Sequence, residues 1–202
     1  MANGKIIIGY SKPYIAGYSA AGSSVTYKGA IPLARGVSVK IDPTVGDDDG
    51  FYADNVLAES AGGVLTGGTL TLSVDGLKDA ARKLAFGTPE ETQITLNEKQ
   101  YKVKGSGKSQ TIPYVGVGFL IQYMEESAIS YTAFIVTKVK FNETGLSAET
   151  QGKSINYQAQ ELTAKIMRDD TEARDWKRYV EDIADEAEAE KVLKELLGGA
   201  GA

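Results

Sequence analysis

Apolar and polar residues alternate with a period of two over much of the chain, and this pattern predicts strands joined by turns. "GTLTLSVDG" is the clearest case, with Leu70, Leu72 and Val74 directed inward and Thr69, Thr71 and Ser73 outward. Earlier, Val25, Tyr27, Ile31 and Leu33 are expected on one side of a strand, followed after Gly36 by Val37, Val39 and Ile41. Pro43 to Gly50 reads as a turn-rich loop, and residues 51–59 are extended again, ending at Gly62-Gly63. Further strands are expected at 92–104 and 113–124. In the second, Val115, Val117, Phe119, Ile121 and Tyr123 share a face, and Gly116 and Gly118 fall on the opposite one, where something must approach closely. Residues 130–142 are apolar on both faces at first, as in a strand covered from two sides. Residues 153–166 shift phase between Ala159 and Leu162, which predicts a bulge near Gln160-Glu161 and a late long hairpin through "NETGLSAETQG".

Two segments break the period of two. After Asp75, an expected N-cap, Leu77, Ala80, Ala81 and Leu84 recur at helical spacing up to Gly87, so a short helix is predicted at about 76–86. From about 170 to 197, Trp176, Tyr179, Val180, Ile183, Ala187, Leu193, Leu196 and Leu197 recur at threes and fours, which predicts an appended C-terminal helix. The first 24 residues hold Tyr10, Tyr14 and Tyr18 at intervals of four, but among glycines and Pro13 they read as an extended arm with exposed tyrosines.

Composition narrows the picture. At 202 residues and 42% apolar content the chain can bury a real core, and 23 glycines against 5 prolines favour strands and tight turns. There is neither a cysteine nor a histidine, so disulfides, cysteine zinc sites and His-dependent triads are excluded, and no cofactor is expected. The net charge of −5 argues against a free-standing nucleic-acid binder. It is also local: residues 169–197 carry eleven acids and five bases, which leaves the remainder close to neutral. The N-terminus lacks a signal-peptide run or membrane span, which predicts a chain made and kept soluble in a cytoplasm.

Candidate chemistry is thin. Asp47-Asp48-Asp49-Gly50 meets a calcium-loop pattern at Asp47 and Asp49 but places Val45 at position one and Val56 at position twelve, so a solvated turn, with at most a weak cation contact, is expected. "GSGKS" at 105–109 lacks the earlier glycine of a phosphate loop, because Lys102 stands there, and it reads as a hairpin turn. Adjacent acids such as Glu125-Glu126 point to opposite sides of an element and do not build an acid/base pair. No catalytic residue, metal ligand or enzyme activity is expected.

"FYADNVLAES" followed by "GGTLTLSVDGLKDAARKLAFG" resembles the major tail proteins of siphophages, the tail-tube subunits of long non-contractile tails. "VKFNETGLSAETQGKSINYQAQELTAKI" is similar to that family's C-terminal half, and the resemblance spans about 30–165; the acidic segment after 168 departs from it. It implies a mainly β fold, a tail-tube-type β-sandwich or barrel with one flanking helix. The expected organisation is an arm at 1–24, a β-domain at 25–167 and an acidic helix at 168–202. It implies six copies closing into a ring and rings stacking into a virion tail tube that passes DNA without reading its sequence. Tape-measure, tail-terminator and baseplate proteins are implied partners. Candidate subunit and ring contacts are Tyr10, Tyr14, Tyr18, Phe51, Tyr52, Asp54 and Asn55. Two alternatives stand beside this one. One is a tube protein of a contractile tail or secretion apparatus; the other is a monomeric carbohydrate-binding β-module using Tyr14, Tyr18 and Tyr114 as stacking platforms.

Overall fold

The fold is that of a computed structural model, which describes residues 4–46, 49–53, 56–61, 64–107, 110–143, 145, 148–150 and 158–199, the side chains of 49–61 excepted. In chain order its strands are β1 (Ile6–Ala21), β2 (Ser24–Pro32), β3 (Gly36–Val45), β4 (Asp49–Ala53), β5 (Val56–Ala61) and β6 (Leu65–Val74). Helix α1 (Asp79–Phe86) follows, then β7 (Glu90–Leu96), β8 (Lys99–Gly105), β9 (Val115–Glu125), β10 (Ala128–Phe141), β11 (Gln160–Met167), β12 (Lys177–Ile183) and helix α2 (Glu186–Leu196). The protein is mainly β. An eight-stranded antiparallel sheet runs β2-β1-β9-β10-β11-β6-β3, with β12 pairing the first half of β10 and β11 its last residues. Hairpins β4–β5 and β7–β8 form separate two-stranded sheets.

The sheet buries both of its faces. One carries Leu70, Leu72, Val74, Val117, Phe119 and Phe141, closed by Ala81, Ala85 and Phe86 of α1. The other carries Tyr14, Ala16, Tyr27, Leu120, Ala133 and Ile135, closed by Ala189 and Leu193 of α2 and by Leu197. The expected close approach at β9 is therefore met by α2. A Cβ on Gly118 would stand 2.7 Å from Leu193 Cδ1, and one on Gly116 would stand 2.6 Å from the Tyr27 ring and 3.2 Å from Leu197 Cδ2. No side chain larger than hydrogen leaves room for the helix at this depth. Asp185 caps α2, accepting from Glu188 N at 2.9 Å.

Several expectations change. Residues 6–21 are not an arm: β1 lies inside the sheet, hydrogen-bonded to β2 on one side and β9 on the other. The acidic segment is not one helix but a loop, strand β12 and the shorter helix α2, because Trp176 to Ile183 extends along β10. Val25 and Tyr27 face α2 whereas Ile31 and Leu33 face the other layer, since Gly29, with φ of 65°, breaks the phase between them. Helix α1 starts at Asp79; Asp75 instead accepts hydrogen bonds from the Arg35 backbone and guanidinium. β11 runs in unbroken register along β6 from Gln160, so no bulge lies at Gln160-Glu161, and residues 151–157 upstream lie outside the described residues. The segment after Gly105 joins β8 to β9, which do not pair, and so is a connection and not a hairpin turn; Lys108 and Ser109 lie outside the described residues. The two-sided burial of β10, the inward Leu70, Leu72 and Val74, and the antiparallel β10–β11 pair match the sequence pattern.

Candidate assembly surface

The three tyrosines of β1 do not share a face. Lys12, with φ of 54°, and Pro13 interrupt the pairing of β1 with β9 between Ser11 and Tyr14, and this irregularity inverts the strand's facing. Tyr10 consequently enters the α1 side, edge-on to Phe119 with ring centroids 5.6 Å apart. Its hydroxyl is buried with no hydrogen-bond partner among the described residues, and burial raises its pKa well above the ordinary tyrosine value. Tyr14 and Tyr18 enter the α2 side. Tyr14 Oη donates to Glu190 Oε1 at 2.6 Å; Tyr18 Oη donates to Asp170 Oδ2 at 2.7 Å and accepts from Asp170 N at 3.0 Å. These residues bind the chain to itself, and none of the three is the exposed arm side chain that the sequence pattern predicts.

Glu190 is the centre of the junction between β1 and α2. Lys194 and Lys12 approach it at 2.8 and 3.0 Å, and hydrogen bonds from Lys194, Tyr14 and Lys12 hold its carboxyl down at about 2. Beyond α2, the buried Asp169 carboxylate accepts from Arg178 Nη2 at 2.9 Å and from Thr171 Oγ1 at 2.6 Å, fixing the loop that leads into β12. Both clusters are internal ties between elements.

The other proposed contacts are less defined. Phe51 and Tyr52 lie on β4, opposite Glu59 and Leu57 of β5, but their side chains are outside the described residues, as are Asp47, Asp48, Asp54 and Asn55 altogether. The carbohydrate platforms fare differently: Tyr14 and Tyr18 are engaged within the chain, and Tyr114 has the Lys138 and Lys140 ammonium groups 5.0 and 5.5 Å from its ring centroid.

The strand expected at 92–104 is instead hairpin β7–β8. Asn97 and Glu98 form a two-residue turn with φ of 49° and 63°, the geometry that matches the right-handed twist of a hairpin. Its register sets Ile94 against Tyr101, Thr92 against Val103 and Leu96 against Lys99, so these six residues share one face. Glu91, Gln93, Thr95, Gln100, Lys102 and Lys104 occupy the other. All fourteen strand residues are exposed, and on the apolar face Ile94 is 55%, Leu96 59%, Tyr101 47% and Val103 40% accessible. The hairpin is tied to the body at its base, where Lys104 pairs with Asp79 at 3.0 Å and Lys83 approaches Glu91 at 3.8 Å. Lys104 holds the Asp79 carboxyl below its ordinary pKa.

An isolated two-stranded hairpin is marginally stable in water, and among the described residues no third layer covers its aliphatic and aromatic face. The signal was legible in "TQITLNEKQYKVKG", where apolar residues alternate on either side of Asn97-Glu98. A cavity of about 450 Å³ between α1 and the base of the hairpin is lined by Arg82, Phe86, Lys104, Gln110 and Glu143. Among the described residues no group of three or more acidic side chains is placed to hold a metal ion, and no helix is long and apolar enough to cross a membrane. No protein-family model matches the chain, and no curated protein matches it in sequence.

Proposed function

We propose that this chain is a structural subunit that assembles with copies of itself, and that the assembly is a tail tube of the siphophage kind, built from stacked rings. The observation that carries self-assembly is the apolar face of β7–β8, held out from a body whose sheet is covered on both sides at its centre. The tube is supported by the mainly β fold and by the resemblance of residues 30–165 to tail-tube subunits. In this reading the body is a tail-tube-type β-sandwich or barrel, six copies close a ring, and the virion's DNA passes through the lumen. Tape-measure, terminator and baseplate proteins meet its ends, and no residue is catalytic. A nearly neutral β-body suits a lumen along which DNA must slide without basic clamps.

Negative-stain electron microscopy and sedimentation velocity of the purified chain, over a range of protein concentrations, test the proposal. Rings or tubes are the expected particles. A chain that stays monomeric at every concentration removes the reading, and compact dimers alone remove the tube while leaving self-association.

A further inference from the structure

Strand β12 lies at an edge of the sheet. Among the described residues it pairs with β10 alone, and Lys177, Tyr179, Val180, Glu181 and Asp182 are exposed along it. Trp176 O accepts from Thr137 N at 3.1 Å, and in an antiparallel pair the residues turned toward the partner alternate from that point. Arg178 and Val180 thus turn their backbone groups to β10, whereas Lys177, Tyr179 and Glu181 turn theirs to the open edge. Asp182, at φ of 60°, starts the irregularity that ends the regular pairing, so the free run is 177–181. Open N–H and C=O groups of this kind are a template for another strand.

The side chains say which strand fits. The run reads Lys177-Arg178-Tyr179-Val180-Glu181, with bases before its centre and an acid after it. A second copy of β12 laid antiparallel about Tyr179 sets Lys177 of each copy opposite Glu181 of the other, and Tyr179 opposite Tyr179. All three pairs join residues whose backbone groups are open. Centring on Val180 instead sets Glu181 against Tyr179 and carries Lys177 past the irregularity to Ile183. No ion pair within the described residues engages Lys177 or Glu181, whereas the charges between and beside them are taken: Arg178 by Asp169 and Asp175, and Asp182 by Lys5, which also lies near Glu181. The centre extends an aromatic row as well. Tyr179 stacks on Phe134 with ring centroids 5.8 Å apart, and Phe134 on Phe119 at 5.3 Å, so the row crosses β9, β10 and β12 and ends in the exposed Tyr179. Lys177 Nζ lies 5.4 Å from the Tyr179 ring centroid, on the same face of the strand. A second Tyr179 continues that row.

We infer that two copies of this chain pair through β12, antiparallel and two-fold, with Tyr179 at the axis and a Lys177–Glu181 contact on either side of it. The contact is isologous, so it closes as a dimer and does not grow. It rests on neither the tube nor the apolar face of β7–β8. A two-fold has no place in a polar stack of rings, and the dimer is therefore a paired form of the chain outside such a stack.

Charge reversal tests it by sedimentation velocity. Lys177→Glu or Glu181→Lys alone sets like charges opposite each other at both ends of the contact, and each variant is expected to stay monomeric where the unmodified chain is dimeric, with unchanged far-ultraviolet circular dichroism. Mixed in equal amounts the two are expected to form a one-to-one dimer, because each supplies the charge the other has lost. The double variant, Lys177→Glu with Glu181→Lys, is expected to dimerise by itself. As a second measurement, Tyr179→Cys chains, in a protein otherwise free of cysteine, are expected to form a disulfide-linked dimer on mild oxidation, since directly opposed residues of a hydrogen-bonded pair stand about 5.5 Å apart at Cα. Single variants that dimerise like the unmodified chain, a mixture that stays monomeric, or Tyr179→Cys chains that do not cross-link overturn the contact. So does an unmodified chain that never leaves the monomer. Rings or tubes indifferent to all of these substitutions, with no dimer beside them, overturn it too and leave the tube reading standing.

Discussion

The centre of the sheet and hairpin β7–β8 are written in the same alternating pattern and reach opposite outcomes. On β9, Val115, Val117 and Phe119 face the α1 layer, and Gly116, Gly118 and Leu120 face α2, so every position from 115 to 120 is buried. On β7 and β8, Ile94, Leu96, Tyr101 and Val103 alternate with polar residues just as regularly, yet each remains exposed. Fully burying one such side chain contributes about 1.5 to 3 kcal/mol, so both faces carry a similar drive toward cover. What differs is access. Two glycines on β9 lower the surface for a helix of the same chain, whereas none of the described residues covers the apolar face of the hairpin.

The two regions differ most in how much they lose at helix α2. Leu193→Ala is expected to lower stability by about 3 kcal/mol, because it opens a cavity over Gly118 at a fully buried position. Thermal denaturation followed by circular dichroism reads the loss, and an unchanged midpoint would mean that α2 is not seated where Gly116 and Gly118 invite it. Gly116→Val attacks the same junction from beneath and is expected to cost about 2 kcal/mol, since the new side chain meets a Tyr27 ring whose hydroxyl is held by Thr137 O at 2.9 Å.

Acid sharpens the contrast. Glu190 is held at about 2 in the folded chain against 4.5 without its partners, so its contribution is fully present above about pH 4.5 and is lost as pH falls toward 2. Allowing for solvent screening, the loss is on the order of 1 to 2 kcal/mol, and denaturant titrations of Glu190→Gln between pH 5 and 2.5 are expected to lack that part of the slope.

On the hairpin the effects are smaller and lie elsewhere. Glu98→Gly relieves a side chain at φ of 63° and is expected to stabilise β7–β8 by about 1 kcal/mol, visible as slower amide exchange at Ile94 and Tyr101. Leu96→Ala is expected to change monomer stability by no more than about 0.5 kcal/mol while weakening self-association. Were it to cost as much as Leu193→Ala, the hairpin would be packed within its own chain and the contrast would fail.

The strand-rich class, the short helix before Gly87, the inward face of β6, the two-sided burial of β10 and the tight approach at Gly116 and Gly118 were all legible in the residue pattern. These follow from local rules, since side-chain alternation, helical spacing and the lack of a Cβ act over a few residues at a time. Only the tertiary structure decided that residues 6–21 lie within the sheet, that Tyr10 turns away from Tyr14 and Tyr18, and that Trp176 to Ile183 extends along β10 before α2 begins. Each of these depends on which strand is the neighbour and on a one-residue break in register, as at Lys12 and Gly29. A register shift of one residue exchanges the two faces of a strand, and pattern alone does not say where it falls. The exposed face of β7–β8 has the same origin: alternation announced that Ile94, Leu96, Tyr101 and Val103 share a side, and only the three-dimensional fold left that side without cover from the described residues.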